Sequence, residues 1–119
     1  DLTNAFPAWM AAQKYREKYF AKPELLTGYD SGVIDDFTEY ITEKTNNLLE
    51  QADHNTVAAL SGVGSLFGLS SVSVLVENVA SNVYGRLVVF FPGEVENNNY
   101  RLLDARDGWN YLAVNITAD

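Results

Sequence analysis

Two short apolar runs, Val57–Leu60 and Arg86–Phe91, flank a helix-patterned stretch. This arrangement constrains the fold more than any other feature of the chain. The segment between them opens with a glycine-spaced loop, Ser61 to Gly68. A helix follows, capped by Ser70 or Ser71, with Val72, Leu75, Val76 and Val79 at helical spacing. Gly85 is placed to end it. Strand, loop, helix and strand together have the length of a βαβ unit. Such a unit pairs its two strands in parallel. Arg86–Phe91 is continuous rather than alternating, which predicts a strand buried on both faces, closed by Pro92-Gly93.

The N-terminal half is helical. Residues 4–21 read as a first helix, with Thr3 or Asn4 as cap and Pro7 in the first turn. Its large side chains are Phe6, Trp9, Met10, Tyr15, Tyr19 and Phe20, and they exceed one stripe. Aromatics anchor protein interfaces, so Trp9, Tyr15 and Tyr19 are the candidate partner-binding residues. The plainer alternative is packing against an N-terminal segment. Pro23 and Gly28 then break the pattern. A second helix is predicted from Ser31 or Gly32 to Ala52, burying Ile34, Phe37, Ile41, Leu48 and Leu49. Asp35 and Asp36 fall in its first turn, where the helix dipole favours negative charge.

After Pro92-Gly93, residues Glu94 to Asn99 are polar and read as turn. Tyr100–Leu103 and Tyr111–Ile116 are then two candidate strands joined by a tight connection ending in Asp107-Gly108. The whole reads as one α/β domain over residues 1–119. A short, mostly parallel sheet (the βαβ unit plus C-terminal strands) is flanked by helices, with a helical N-terminal half. The first residue is Asp1, so the expectation is a fragment of a somewhat longer protein.

Charge and composition narrow the function classes. Eight Lys and Arg face sixteen Asp and Glu, a formal net charge of −8. A duplex-binding surface must neutralise phosphates with cations, so direct nucleic-acid binding is disfavoured. The acidic surface instead suits solubility or a basic protein partner. The sequence holds no cysteine, which removes disulfides and thiolate metal sites. No stretch approaches the roughly 18 apolar residues of a spanning helix. The expected location is cytoplasmic, and the sequon at Asn115 is expected to stay unmodified.

The loop bearing Gly62, Gly64 and Gly68 stands after a strand and before a helix, where backbone N–H groups cradle phosphate. It departs from the phosphate-loop pattern: five residues separate Gly62 from Gly68, and Leu69 occupies the lysine place. A structural turn with close backbone packing is the simpler reading. Serine catalysis at Ser65, Ser70 or Ser71 would need His54, the one histidine, as base. His54 sits at a helix end, and no Gly-x-Ser-x-Gly occurs. Asp104 and Asp107, with Glu94 and Glu96, form an acid cluster, but Arg101 and Arg106 interleave with it and favour local ion pairing. No catalytic, cofactor or metal residue is therefore assigned.

Three stretches carry a resemblance. They are Leu60-Ser61-Gly62-Val63-Gly64-Ser65-Leu66-Phe67, then Arg86-Leu87-Val88-Val89-Phe90-Phe91-Pro92-Gly93-Glu94, then Tyr100 through Val114. Together, over about residues 57–116, they resemble the BrxB family, a small component of bacterial BREX phage-exclusion systems. The resemblance implies a non-enzymatic assembly subunit whose partner is a PglZ-type protein. It implies no catalytic residues. The rival reading is a nucleotide- or phosphate-binding enzyme that uses the Gly62–Gly68 loop with Asp104 or Asp107.

Overall fold

The computed structural model describes residues 1–13, 17, 21, 22, 24, 32–96, 99–102, 105–107, 114 and 116. The chain is a mixed α/β domain with a helical N-terminal half. Helix α1 spans Ala5–Ala11. Its Pro7 lies in the first turn, where the missing N–H has no partner to lose. The predicted helix 4–21 is interrupted at Ala12-Gln13. There the Trp9 carbonyl accepts from the Ala12 N–H and from the Gln13 side-chain amide, and the Gln13 N–H turns to Met10. These tightened bonds end the α-helical ladder; Glu17 and Ala21 are helical again.

Helix α2 spans Val33–Leu49, entered through Gly32 at φ 64°. Its buried line is Val33, Phe37, Ile41, Thr45 and Leu49, a single i, i+4 ridge. This corrects the predicted face at both ends: Val33 is buried where Ile34 is only half-buried, and Leu48 is exposed while Thr45 takes the inner place. A threonine is tolerated there because its hydroxyl donates to the Ile41 carbonyl at 2.8 Å.

The turn after α2 is held by Asp53, whose carboxylate accepts from the Asn55 N–H and the Thr56 hydroxyl, both at 2.9 Å. Strand β1, Val57–Leu60, follows. A 3₁₀ turn, Val63–Leu66, leads to helix α3, Val72–Val79, and then to strand β2, Arg86–Val89. The predicted parallel pairing is present, with Val57 opposite Arg86 and Leu60 opposite Val89. Gly85 does not end the helix, which gives way to a 3₁₀ turn at Ala80–Asn82. Its place is instead a close approach: a side chain on Gly85 would collide with the Thr56 carbonyl.

Helices α2 and α3 lie side by side and run in the same direction. A polar seam sets their register. Thr38 and Ser70 hydroxyls are 2.8 Å apart, Asn78 donates to Thr42 at 3.4 Å, and Asn82 donates to Asn46 at 2.8 Å. Beneath them is one core, including Trp9, Met10, Phe37, Ile41, Leu49, Leu60, Leu66 and Leu75. Ala58, Leu87, Val89 and Phe91 pack against it from the sheet.

The C-terminal strands match expectation in part: the predicted strand Tyr100–Leu103 is present as Asn99–Leu102, but it does not join the parallel sheet. Strands β3 (Glu94–Glu96), β4 (Asn99–Leu102) and β5 (Ala105–Asp107) form a separate antiparallel sheet in sequential order. The stretch predicted as turn thus contains β3, because Glu and Asn are poor strand formers and hide the hairpin. Glu96 pairs with Asn99 and Leu102 with Ala105, so two residues separate each pair of strands. Of the predicted Asp107-Gly108 turn, Asp107 is in β5, opposite Tyr100, and Gly108 lies outside the described residues. Most of the predicted strand 111–116 lies outside the described residues. Its two described members, Val114 and Ile116, have no regular structure.

Candidate docking surface

The predicted double burial of Arg86–Phe91 is overturned. Along β2 the side chains alternate between exposed and half-buried. The paired register places Val57, Ala59, Arg86, Val88 and Phe90 on one face and Ala58, Leu60, Leu87, Val89 and Phe91 on the other. The second set meets the core. The first set faces outward: Val57 and Phe90 are each 62% exposed and Val88 is 36% exposed. Tyr84, just ahead of β2, is 67% exposed. A continuous apolar run has side chains for two faces, but it cannot say whether both are covered within the chain.

Among the described residues this face is uncovered. That is unusual, because parallel sheets are normally packed on both sides. It is the clearest exposed apolar surface of the βαβ unit, and such patches mark sites of association. Its edge carries Arg86, whose guanidinium donates to the neighbouring Gly85 carbonyl at 3.3 Å.

The aromatic residues predicted as partner anchors are placed differently. Trp9 is buried. It packs against Phe37 with ring centroids 5.4 Å apart, and against Phe6 and Tyr40 at 6.0 and 6.3 Å. Its role as a surface anchor is corrected accordingly: it joins α1 to α2. Tyr15 and Tyr19 lie outside the described residues.

The glycine loop is filled from the N-terminal side. Gly62 has φ 73° and Gly68 has φ 82°; both are in the left-handed region, whereas Gly64 is not among the positive-φ glycines. Leu2 donates its N–H to the Ser61 carbonyl, and the Ser65 hydroxyl contacts both the Leu2 and Gly62 carbonyls. A side chain on Gly62 would strike Thr3 and the Asp1 carboxylate. An anion approaching Gly62 therefore meets a carboxylate and an occupied space, which fits the structural-turn reading of this loop. Val63 and Leu66 are fully buried and Phe67 packs against Phe91 at 5.6 Å.

The other candidate groups do not converge. His54 precedes β1 and Ser65 follows it, so the strand's length, about 13 Å, separates them. Ser70 is paired with Thr38, and Ser71 with Ser73. Asp104 lies outside the described residues. Among the described residues, no three His, Asp or Glu side chains are grouped so as to hold a metal ion. The backbone N–H of Asn55 and then the Thr56 hydroxyl hold the Asp53 carboxyl below its ordinary value of 3.8, and both bonds are accounted for by the turn. No helix of the described residues is long and apolar enough to cross a membrane.

Comparison with known proteins adds a decisive match. The family model described as BREX protein BrxB covers residues 9–116. The chain belongs to the BrxB family. The match takes in nearly the whole chain, including the helical half that carried none of the resembling motifs. No curated protein and no solved structure gives a significant match. As a BrxB protein, the chain is a component of a BREX phage-defence system, in the company of that system's other proteins. Of the β1–β2 sheet, the parallel pairing was legible in the sequence; the register and the openness of one face were not.

Proposed function

We propose that this BrxB protein is a non-enzymatic assembly subunit, acting in the cytoplasm, that docks onto another protein of its BREX system. The PglZ-type protein is the partner that the family resemblance implies. One observation carries the reading: the outward face of the β1–β2 sheet is apolar and uncovered among the described residues. Covering a Val or Phe side chain fully contributes about 1.5–3 kcal/mol. The acidic balance of the chain argues against nucleic acid as the ligand. No cofactor enters this reading.

The test is capture of the co-expressed PglZ-type protein, read together with phage protection. Val88→Asp and Phe90→Asp are expected to keep the circular dichroism of the parent, since surface substitutions usually change stability by about 0.5 kcal/mol or less. They are expected to weaken capture about tenfold or more, because central interface anchors cost roughly 2 kcal/mol each. Replacing His54, Asp104 and Asp107 together is expected to leave protection nearly unchanged. Protection lost in that folded triple variant, with capture intact, would establish an enzyme and refute the assembly reading.

A further inference from the structure

The open face has a chemical signature that narrows what it binds, and the argument rests on the docking reading above. Along its length the face is apolar, with Val57, Ala59, Val88 and Phe90 in two adjacent strands. At one end stands a single cation, Arg86, opposite Val57. Its guanidinium makes no ion pair among the described residues and is bonded only to the Gly85 carbonyl. The acid of the adjoining turn is Asp53, and its carboxylate is already committed to Asn55 and Thr56. In a chain with twice as many acids as bases, no acid among the described residues pairs with this arginine.

From this geometry we infer that the face receives one amphipathic helix of a partner protein, whose apolar stripe covers Val57, Ala59, Val88 and Phe90 and whose Asp or Glu meets Arg86. Two adjacent strands are about 4.8 Å apart and alternate outward residues about 6.6 Å apart. That footprint matches one helix, roughly 10 Å across with its side chains. A helix is also the element that ordinarily covers a parallel sheet face. Ala59 has the shortest side chain on the face, so a bulky residue of the incoming helix seats above it. The charge excludes a symmetric alternative. Among the described residues the face holds no carboxylate, so a second copy laid face to face would leave both arginines unpaired as they lose water, which is costly.

The experiment uses the full chain co-expressed with the other components of its BREX system. A benzoylphenylalanine photo-crosslinker replaces Val88, and the linked residues are located by mass spectrometry. Links are expected in one helical stretch of another component, within two turns of an Asp or Glu. Arg86→Glu is expected to weaken capture of that component about tenfold or more, and Arg86→Lys to retain most of it. Replacing the crosslinked component's acid by Lys is expected to restore capture by the Arg86→Glu chain. Links to a second copy or back to the same chain would overturn the inference. So would a partner segment without a carboxylate, or an Arg86→Glu chain that captures like the parent. In that last case, capture lost in Phe90→Asp would leave the assembly reading standing. Capture unchanged in both variants would remove the reading as well.

Discussion

Gly62 and Gly68 share a backbone requirement but not a surrounding. Both have positive φ, 73° and 82°. A side chain at Gly68 would meet open space, whereas one at Gly62 would strike the segment Asp1–Thr3. Gly68→Ala therefore carries only the left-handed backbone penalty, about 1–2 kcal/mol. Gly62→Ala carries that penalty and also displaces Leu2, a buried residue whose removal from the core costs a further 1.5–3 kcal/mol or about that. Urea melts of the two variants are expected to rank Gly62→Ala as clearly the less stable. Equal melts would mean that the N-terminal segment contributes nothing to the stability of the loop. The glycines were visible in the sequence as a spaced set. The occupant of the space above one of them was not, because Asp1–Thr3 and Gly62 are about sixty residues apart in the chain.

At the scale of the element, helix α2 shows how periodicity can be right while positions at its two ends are wrong. Leu48 and Leu49 are adjacent and chemically identical, and both suit an apolar face. The ridge Val33-Phe37-Ile41-Thr45-Leu49 advances by fours, so Leu49 falls on it and Leu48 falls beside it. Leu49 is 1% exposed and Leu48 is 53% exposed. Leu49→Ala is expected to cost about 2–5 kcal/mol through the cavity it leaves. Leu48→Ala is expected to cost well under about 1 kcal/mol, as surface changes do. Thermal melts of the pair check this directly, and a large loss at Leu48 would place a second packed surface on α2. The seam of Thr38, Thr42 and Asn46 against Ser70, Asn78 and Asn82 explains why the ridge is so narrow. The helix's second side is turned toward α3 through hydrogen bonds, which need polar residues there.

For the whole molecule, the decisive asymmetry is between the two faces of β1 and β2. Val88 and Val89 are neighbours in one strand, yet Val89 packs against the core and Val88 faces outward. Val89→Asp places a charge among apolar side chains at a cost of several kcal/mol, a large share of the roughly 5–15 kcal/mol that stabilises a domain. Val88→Asp is expected to fold. Circular dichroism and denaturant midpoints of the two variants test the assignment of faces. A cooperative, parent-like Val89→Asp together with an unfolded Val88→Asp would reverse it. The same asymmetry underlies the proposed contact: the inner face packs against the core, and the outer face is uncovered among the described residues.

By itself the sequence determined the order of the helices and of the two parallel strands, and their pairing. Apolar spacing at period 3.6, the glycine punctuation and the short strand lengths each act over a few neighbouring residues. It also carried the family: the motifs at Leu60–Phe67 and Arg86–Glu94 fall inside the span that matches BrxB. Only the tertiary structure decided which face of β2 is buried, where Trp9 points, and what lies above Gly62. Each of these depends on contact between residues distant in the chain. An apolar side chain contributes the same pattern whether its cover comes from its own chain or from another protein. Burial is a property of the packed neighbours, and the alternating exposure of Arg86, Leu87, Val88 and Val89 arises because the described helices pack on the inner face.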